Sequence, residues 1–153
     1  MKNILIADGH YVVRTGTALV LKSKLQYHCN IDFAETYSDT KDMVSEKAYD
    51  LLIIDIDIPG SIFKAMVKDL KKKQKNLKIL FFSTYDDNVG IQYIEEGAAG
   101  YLNKGASESE IITAVNSMFE EGYYYTVNMM KKLVTHTAGS HSVERLSKRE
   151  FQI

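Results

Sequence analysis

The chain has 153 residues, of which 45% are hydrophobic and 25% charged, and its formal net charge is -1. These values are ordinary for one globular domain with a real core, and they exclude a disordered or fibrous protein. The single cysteine, Cys29, excludes an internal disulfide framework. The opening segment has too short an apolar run for a secretory signal or a membrane span, so we expect a cytoplasmic protein that does not enter a membrane.

Short apolar runs alternate with helical patterns along the first 121 residues. The predicted strands lie at 3–7, 29–35, 51–55, 78–83 and 98–103. The predicted helices lie at 10–25, 38–48, 62–74, 87–96 and 107–121. The apolar positions that mark the first helix are Val12, Val13, Leu19 and Val20, and the third is marked by Phe63, Met66, Val67 and Leu70. This alternation predicts an α/β fold with a doubly wound, five-stranded parallel sheet and helices on both faces.

Polar side chains stand where four of the predicted strands end: Asp8, Asp55, Ser83 and Lys104. In doubly wound sheets, functional groups gather at the carboxyl ends of the strands. A carboxylate at this rim is partly desolvated and can meet a cation or act as a nucleophile. Taken singly, each residue has a simpler interpretation as a cap, turn or packing residue. The joint pattern favours one site with two acids, a hydroxyl and an ammonium.

These four residues, in this order, resemble the response regulator receiver domain of two-component signalling. The resemblance covers residues 2–121 and includes the segments YDLLIIDIDIPG, ILFFSTYDD and EEGAAGYLNKGAS. It implies the flavodoxin-like (βα)5 receiver fold. The segments IADGHYVVRTG and LSKRE further resemble the NarL/FixJ subgroup, whose receiver is followed by a LuxR-type helix-turn-helix domain.

The resemblance implies a role for each site residue. Asp55 would accept a phosphoryl group from a histidine kinase or a small phosphodonor, and Lys104 would stabilise the charge that develops. Ser83 would donate its hydroxyl to the new phosphoryl oxygen, and Tyr101 matches the switch aromatic that turns inward as that hydroxyl moves. The metal ligands implied for Mg²⁺ are Asp8, Asp55 and the backbone carbonyl of Asp57.

One position departs from the family pattern. The family has a second acid directly after the first strand, and here Gly9 stands in its place. We therefore expect weakened Mg²⁺ binding, unless the Asp57 side chain supplies the missing charge. Gly9 also keeps open a phosphate-independent pseudo-receiver that acts as a protein–protein interaction module. Asp57 and Tyr85 lie where the family tunes dephosphorylation.

The chain divides into three expected segments: a receiver domain at 1–122, a helix and linker at 123–142, and the start of a truncated LuxR-type helix-turn-helix domain at 143–153. A short helix is predicted at 126–136, and Ser147 with Glu150 forms a capping box for another. We expect DNA to bind through the C-terminal domain and not through these residues. The partner would be a histidine kinase, and a homodimer is left open.

A third interpretation is a phosphatase-like hydrolase of the haloacid dehalogenase type, because Asp55 and Asp57 form an Asp-x-Asp sequence. In that family the motif belongs on the first strand, and an acidic motif follows the lysine at a strand end. Here Glu108 and Glu110 follow Lys104 within a predicted helix. We therefore expect a non-enzymatic switch that regulates transcription.

Overall fold

The structure, a computed structural model, describes residues 1–137. The strands are β1 Lys2–Ala7, β2 Cys29–Ala34, β3 Leu51–Ile54, β4 Ile79–Ser83 and β5 Gly100–Asn103. The helices are α1 Tyr11–Lys24, α2 Tyr37–Glu46, α3 Ala65–Lys73, α4 Asp87–Glu96, α5 Glu108–Glu120 and α6 Val127–Thr137. The predicted strands and helices within this range are confirmed, with small shifts at their ends. Among the described residues, none of the helices has the length and apolar character needed to cross a bilayer.

The five strands form one parallel sheet in the order β2-β1-β3-β4-β5. From β1 the chain moves outward to β2, then returns past β1 to β3 and continues in the other direction. The strand order therefore reverses between β1 and β3, which pair in register with Ile6 opposite Ile53. In open α/β sheets, a reversal of this kind leaves a crevice at the carboxyl ends of the two strands.

Both faces of the sheet are covered, which explains why β3 is apolar without interruption. Leu51 and Ile53 belong to the core cluster that contains α1 and α5 residues. Leu52 and Ile54 belong to the other cluster, with residues of α2, α3 and α4. Successive side chains of a strand point to opposite faces, so a strand between two helical layers needs an apolar residue at every position.

Helix α1 is rotated relative to its apolar pattern. Val12 and Leu19, which mark the helix in the sequence, are 78% and 66% exposed. Arg14 and Thr17 are buried instead. The same face buries Ala18 and Leu21 in the core. The buried Arg14 is satisfied because its Nη1 donates to the backbone carbonyl of Asp8 at 2.7 Å.

The third helix begins later than its apolar pattern predicts. Phe63 was expected inside the helix, but it lies before Ala65, has a φ of 56° and is 52% exposed. The preceding loop is held by Ser61, whose hydroxyl donates to the Ile56 carbonyl at 2.6 Å and accepts from the Phe63 N–H at 3.0 Å. This turn leaves Phe63 pointing away from the core.

Helix α6 packs against α4 through its buried residues Met129 and Leu133. Asn128 Nδ2 donates to the Asp87 carboxylate at 2.7 Å, which ties the start of α6 to the first turn of α4. The helix predicted at 126–136 is thereby confirmed. The expected linker at 138–142, the helix-turn-helix start at 143–153 and the Ser147–Glu150 capping box lie outside the described residues.

Two helical glycines give a matched test of how closely Tyr101 packs on α4. A Cβ added to Gly90 in α4 would lie 2.6 Å from Cγ of the Tyr101 ring, whereas a Cβ added to Gly16 in α1 meets nothing within 4 Å. We expect Gly90→Ala to lower the free energy of unfolding by about 1–3 kcal/mol through overpacking. Gly16→Ala should raise it by about 0.5–1 kcal/mol, because alanine favours a helix. Urea titrations measure both, and a Gly90→Ala variant as stable as the wild type would contradict the close packing of Tyr101 on α4.

Candidate functional site

Two acids stand at the crevice where the strand order reverses. Asp8 directly follows β1 and Asp55 directly follows β3, and both side chains are almost completely buried. Their backbones continue the sheet, since the Asp8 N–H donates to the Ala34 carbonyl and the Asp55 N–H to the Ala7 carbonyl, each at 3.0 Å. The ladder thus fixes where the carboxylates point. Buried carboxylates require compensating partners.

Lys104 is the cationic partner of both acids. Its Nζ lies 2.7 Å from Asp8 Oδ2 and 3.3 Å from Asp55 Oδ2, and its side chain is 14% exposed. The Lys104 N–H donates to the Ser83 carbonyl at 2.8 Å, which attaches the lysine to the end of β4. The two carboxylates therefore share one ammonium, and the Arg14 guanidinium reaches the same rim through its hydrogen bond to the Asp8 carbonyl.

Ser83 completes the group of four residues expected at the rim. It is fully buried, and its hydroxyl donates to Asp55 Oδ1 at 2.7 Å. The two oxygens of Asp55 therefore face a hydroxyl on one side and an ammonium on the other. The structure brings together Asp8, Asp55, Ser83 and Lys104, which the sequence placed on four different strand ends.

Asn103, which the sequence analysis did not single out, holds the loop that carries Lys104. Its Oδ1 accepts from the Gly105 N–H at 2.7 Å, and its Nδ2 donates to the Tyr85 carbonyl at 2.9 Å. These bonds tie the loop after β5 to the loop after β4. The signal in the sequence is weak, because an asparagine beside Lys104 and Gly105 is ordinary turn composition.

Tyr101 lies inward, with 1% of its surface exposed. Its hydroxyl donates to the Tyr85 carbonyl, and the Ser83 carbonyl is 3.2 Å away. Burial is the main cause that raises the pKa of Tyr101 well above that of a free tyrosine, and nearby carboxylates, Asp87 and Asp86 first among them, add to it. The phenol therefore stays a neutral hydrogen-bond donor to the loop that follows Ser83.

The Asp57 side chain is exposed and paired with Tyr85, whose hydroxyl donates to Asp57 Oδ1 at 2.9 Å. This hydrogen bond is the main cause that raises the pKa of Tyr85. The suggestion that the Asp57 carboxylate supplies the charge missing at Gly9 therefore finds no support in this geometry. Asp57 and Tyr85 therefore contact each other at the rim.

His10 is a further residue at the rim that the sequence analysis did not single out. Its Nδ1 lies 2.8 Å from Asp8 Oδ1, and its backbone N–H donates to the same oxygen at 2.8 Å. Asp8, His10 and Asp55 each offer one ligand atom, and these atoms lie within 4.8 Å of one another. The available signal was a histidine two residues after a strand-end acid.

The donor set of this cluster fits a divalent cation. Carboxylate oxygens are the ligands that Mg²⁺ prefers, while an imidazole nitrogen suits transition-metal ions better. Lys104 contacts the Oδ2 atoms of both acids, whereas His10 faces Oδ1 of Asp8. The Lys104 ammonium and the His10 ring therefore contact different oxygens of the Asp8 carboxylate.

The chain is similar to known signalling proteins over nearly all of its length. The response regulator UvrY of Escherichia coli is 25% identical over 158 residues, which cover 100% of this chain and 72% of UvrY. The Fimbriae Z protein of Escherichia coli is 31% identical, covering 99% of this chain and 73% of that protein.

The fold is shared with solved receivers as well. The crystal structure of a LuxR family two-component response regulator from Aurantimonas matches with a TM-score of 0.77 at 18% identity, covering 90% of this chain and 99% of that chain. Residues 4–116, more than half of the chain, match the sequence family described as the response regulator receiver domain. The chain therefore belongs to the receiver domain family of two-component response regulators, in its NarL/FixJ, LuxR-type branch.

Proposed function

We propose that Asp55 accepts a phosphoryl group from a histidine kinase or a small phosphodonor. The observation that carries this proposal is the environment of one carboxylate: Asp55 Oδ2 lies 3.3 Å from the Lys104 ammonium, and Oδ1 accepts from Ser83. A carboxylate oxygen attacks phosphorus, the bond from phosphorus to the donor breaks, and the donor leaves with its electron pair. The product is an acyl phosphate on Asp55.

The groups around Asp55 match the charge that develops during this transfer. Phosphoryl transfer depends mainly on positioning and on stabilisation of charge at the phosphoryl oxygens. Lys104 faces the acceptor from one side and supplies a fixed positive charge. Asp8, Asp55 and the backbone carbonyl of Asp57 would hold a divalent cation on the other side. That ion would neutralise charge on the transferred group.

Ser83 and Tyr101 connect the acceptor to the helices. The Ser83 hydroxyl, which donates to Asp55 in this structure, would move to an oxygen of the new phosphoryl group. The Tyr101 hydroxyl contacts the backbone that follows Ser83, and the Tyr101 ring packs on Gly90 of α4. Because α6 packs on α4, a shift that begins at Ser83 has a continuous path of contacts to the C-terminal segment.

The output of this switch is proposed to be a DNA-binding domain that controls transcription. Residues 1–122 would form the receiver, 123–142 the helix and linker, and 143–153 the start of the LuxR-type domain. The support for this arrangement is the similarity to the response regulator UvrY and the resemblance of the segment LSKRE to the NarL/FixJ subgroup. A cytoplasmic location and a histidine kinase partner are part of the same proposal.

The acceptor can be tested by a matched pair of isosteric substitutions. We expect incubation with acetyl phosphate and a divalent cation to add one phosphoryl group to the wild type and none to Asp55→Asn. Asp57→Asn should still be labelled, because it removes a carboxylate beside the site but keeps the backbone carbonyl. Intact mass spectrometry measures all three proteins.

The labelling experiment tests the interaction module, and a separate phosphomonoester assay tests the hydrolase. A wild type that stays unmodified under conditions that label an ordinary receiver would favour the phosphate-independent interaction module. Repeated turnover of a phosphomonoester would favour the hydrolase, and we expect none. A label on Asp55→Asn would place the acceptor elsewhere.

Because Lys104 pairs with Asp55, the stability cost of removing Lys104 from the metal-free protein should depend on whether Asp55 is present. Lys104→Ala leaves two buried carboxylates facing each other, and we expect it to lower the free energy of unfolding by about 2 kcal/mol or more. The loss should be smaller in an Asp55→Asn background, because one of the opposed charges is already gone. Urea titrations with a chelator present measure both losses. Equal losses would show that Lys104 does not act on Asp55.

The proposed output predicts where DNA binding resides. A longer chain that continues past Ile153 should bind duplex DNA as a dimer, with an affinity that falls steeply as the salt concentration rises. The 153 residues alone should not bind. Fluorescence anisotropy of a labelled duplex measures both proteins. Tight, sequence-selective binding by the 153-residue chain would show that the DNA-binding residues had been assigned to the wrong segment.

A further inference from the structure

A cavity with basic walls lies at the edge of the sheet opposite the phosphoacceptor, at the amino ends of β4 and β5. Its volume is about 500 Å³, a size typical of small-molecule sites. Among residues 1–137, its lining contains no acidic side chain, but it includes three lysines and two tyrosines: Lys71, Lys75, Lys78, Tyr123 and Tyr125. The charges on the wall of this basic pocket are therefore all positive, although the chain as a whole has a net charge of -1.

Two of the lysines stand on an anchored turn between α3 and β4. Leu77, which lies between Lys75 and Lys78, is 1% exposed. The side chain of Gln74, directly before Lys75, donates to two backbone carbonyls and accepts from the Tyr49 N–H, so the start of the turn is fixed. Within residues 1–137, no carboxylate lies at ion-pair distance from Lys75 or Lys78. These two ammonium groups are therefore available to an anionic ligand.

Lys71 adds a third positive charge from the last turn of α3. Its Nζ lies 4.0 Å from the place that a Cβ on Gly97 would occupy, and the Gly97 backbone also lines the basic pocket. Three lysines around one cavity match the charge of a chain of phosphate groups, because lysine binds phosphate oxygens as a compact positive charge.

Two tyrosine rings, of Tyr123 and Tyr125, form the other wall. Tyr124 pairs with Gly100 of β5, and its N–H donates to the Ala99 carbonyl at 3.0 Å, so this stretch runs along the sheet. Successive side chains of an extended stretch point to opposite sides, which places Tyr123 and Tyr125 together. Their ring centroids are 5.0 Å apart, with 31° between the ring planes. Aromatic rings of this kind are surfaces on which nucleobases stack.

We propose that the basic pocket binds a free nucleoside triphosphate, with its base against the tyrosine rings and its phosphates beside the three lysines. Stacking supplies an attraction that inorganic phosphate lacks, and the lysines supply one that a free nucleoside lacks. One pair of rings in one bounded cavity suits a single base, whereas proteins that bind single strands stack successive bases along a groove. The site is separate from Asp55 and does not depend on phosphoryl transfer there.

The test is calorimetric titration of the whole 153-residue chain with ATP, in the presence of a chelator and without a phosphodonor for Asp55. Tripolyphosphate and adenosine, which each carry one half of the ATP molecule, are titrated in parallel. We expect ATP to bind about tenfold or more tightly than either half, because only ATP can use both walls of the basic pocket.

Neighbouring lysines give a control of matched charge. The double variant Lys75→Gln, Lys78→Gln should weaken ATP binding about tenfold or more, because it removes two of the phosphate partners. The double variant Lys72→Gln, Lys73→Gln removes the same charge from exposed positions outside the lining. It should change the affinity less than about twofold at physiological ionic strength, where exposed charges are screened.

A tyrosine variant tests the stacking wall separately. Tyr123→Leu should lower the affinity for ATP to that for tripolyphosphate and leave tripolyphosphate binding unchanged. Tyr11→Leu replaces a tyrosine of α1 that is 71% exposed and lies outside the lining, and it should change neither affinity. Urea titrations show whether each variant keeps the stability of the wild type, and the lysine pairs test the site without any change to the tyrosines.

The proposal is overturned by a chain that does not bind ATP, or by equal losses of affinity in the two lysine pairs. Tripolyphosphate that binds as tightly as ATP would show a surface for anions in general and would also overturn it. A single-stranded oligonucleotide that binds more tightly than ATP would show a nucleic-acid surface instead. None of these outcomes depends on whether Asp55 accepts a phosphoryl group.

Discussion

The whole rim of the sheet depends on the ammonium of Lys104, which is shared between the carboxylates of Asp8 and Asp55. Two ionised carboxylates buried beside each other repel, and a cation that faces both of them offsets that repulsion. The lysine in turn depends on the ends of β4 and β5, through its bond to the Ser83 carbonyl and through the Asn103 turn. Groups from four strand ends are therefore stabilised as one unit.

These groups lie at the carboxyl ends of the strands, which is the edge where open α/β sheets bind their ligands. The strand order reverses between β1 and β3, so Asp8 and Asp55 lie beside each other at the carboxyl ends of these two strands. Ser83 and Tyr101 lie between Asp55 and α4, and α6 covers α4 in turn. Contacts therefore run without a break from Asp55 to α6, and the proposed phosphorylation of Asp55 would act through them.

Sequence reasoning was strongest where the sheet imposes regular geometry. Parallel strands bring their carboxyl ends to one edge, so Asp8, Asp55, Ser83 and Lys104 could be placed together from their positions alone. It was weakest where the conformation of a loop or the rotamer of a side chain determines which residues contact each other. The burial of Arg14 in α1 depends on its hydrogen bond to the Asp8 carbonyl. The pairing of Asp57 with Tyr85 depends on the direction of two side chains, and the approach of His10 to Asp8 on the turn at Gly9. Spacing along the chain carries none of this information.

The central claim is that this pocket directs a phosphoryl group to the carboxylate of Asp55 and to no other acid at the rim. Borohydride reduces an acyl phosphate of aspartate to homoserine and leaves free carboxylates unchanged. The most direct measurement is therefore reduction of the phosphorylated chain, followed by digestion and mass spectrometry of its peptides. We expect homoserine at position 55 alone. Homoserine at position 8 or 57, or its absence from a chain that has gained a phosphoryl group, would contradict it.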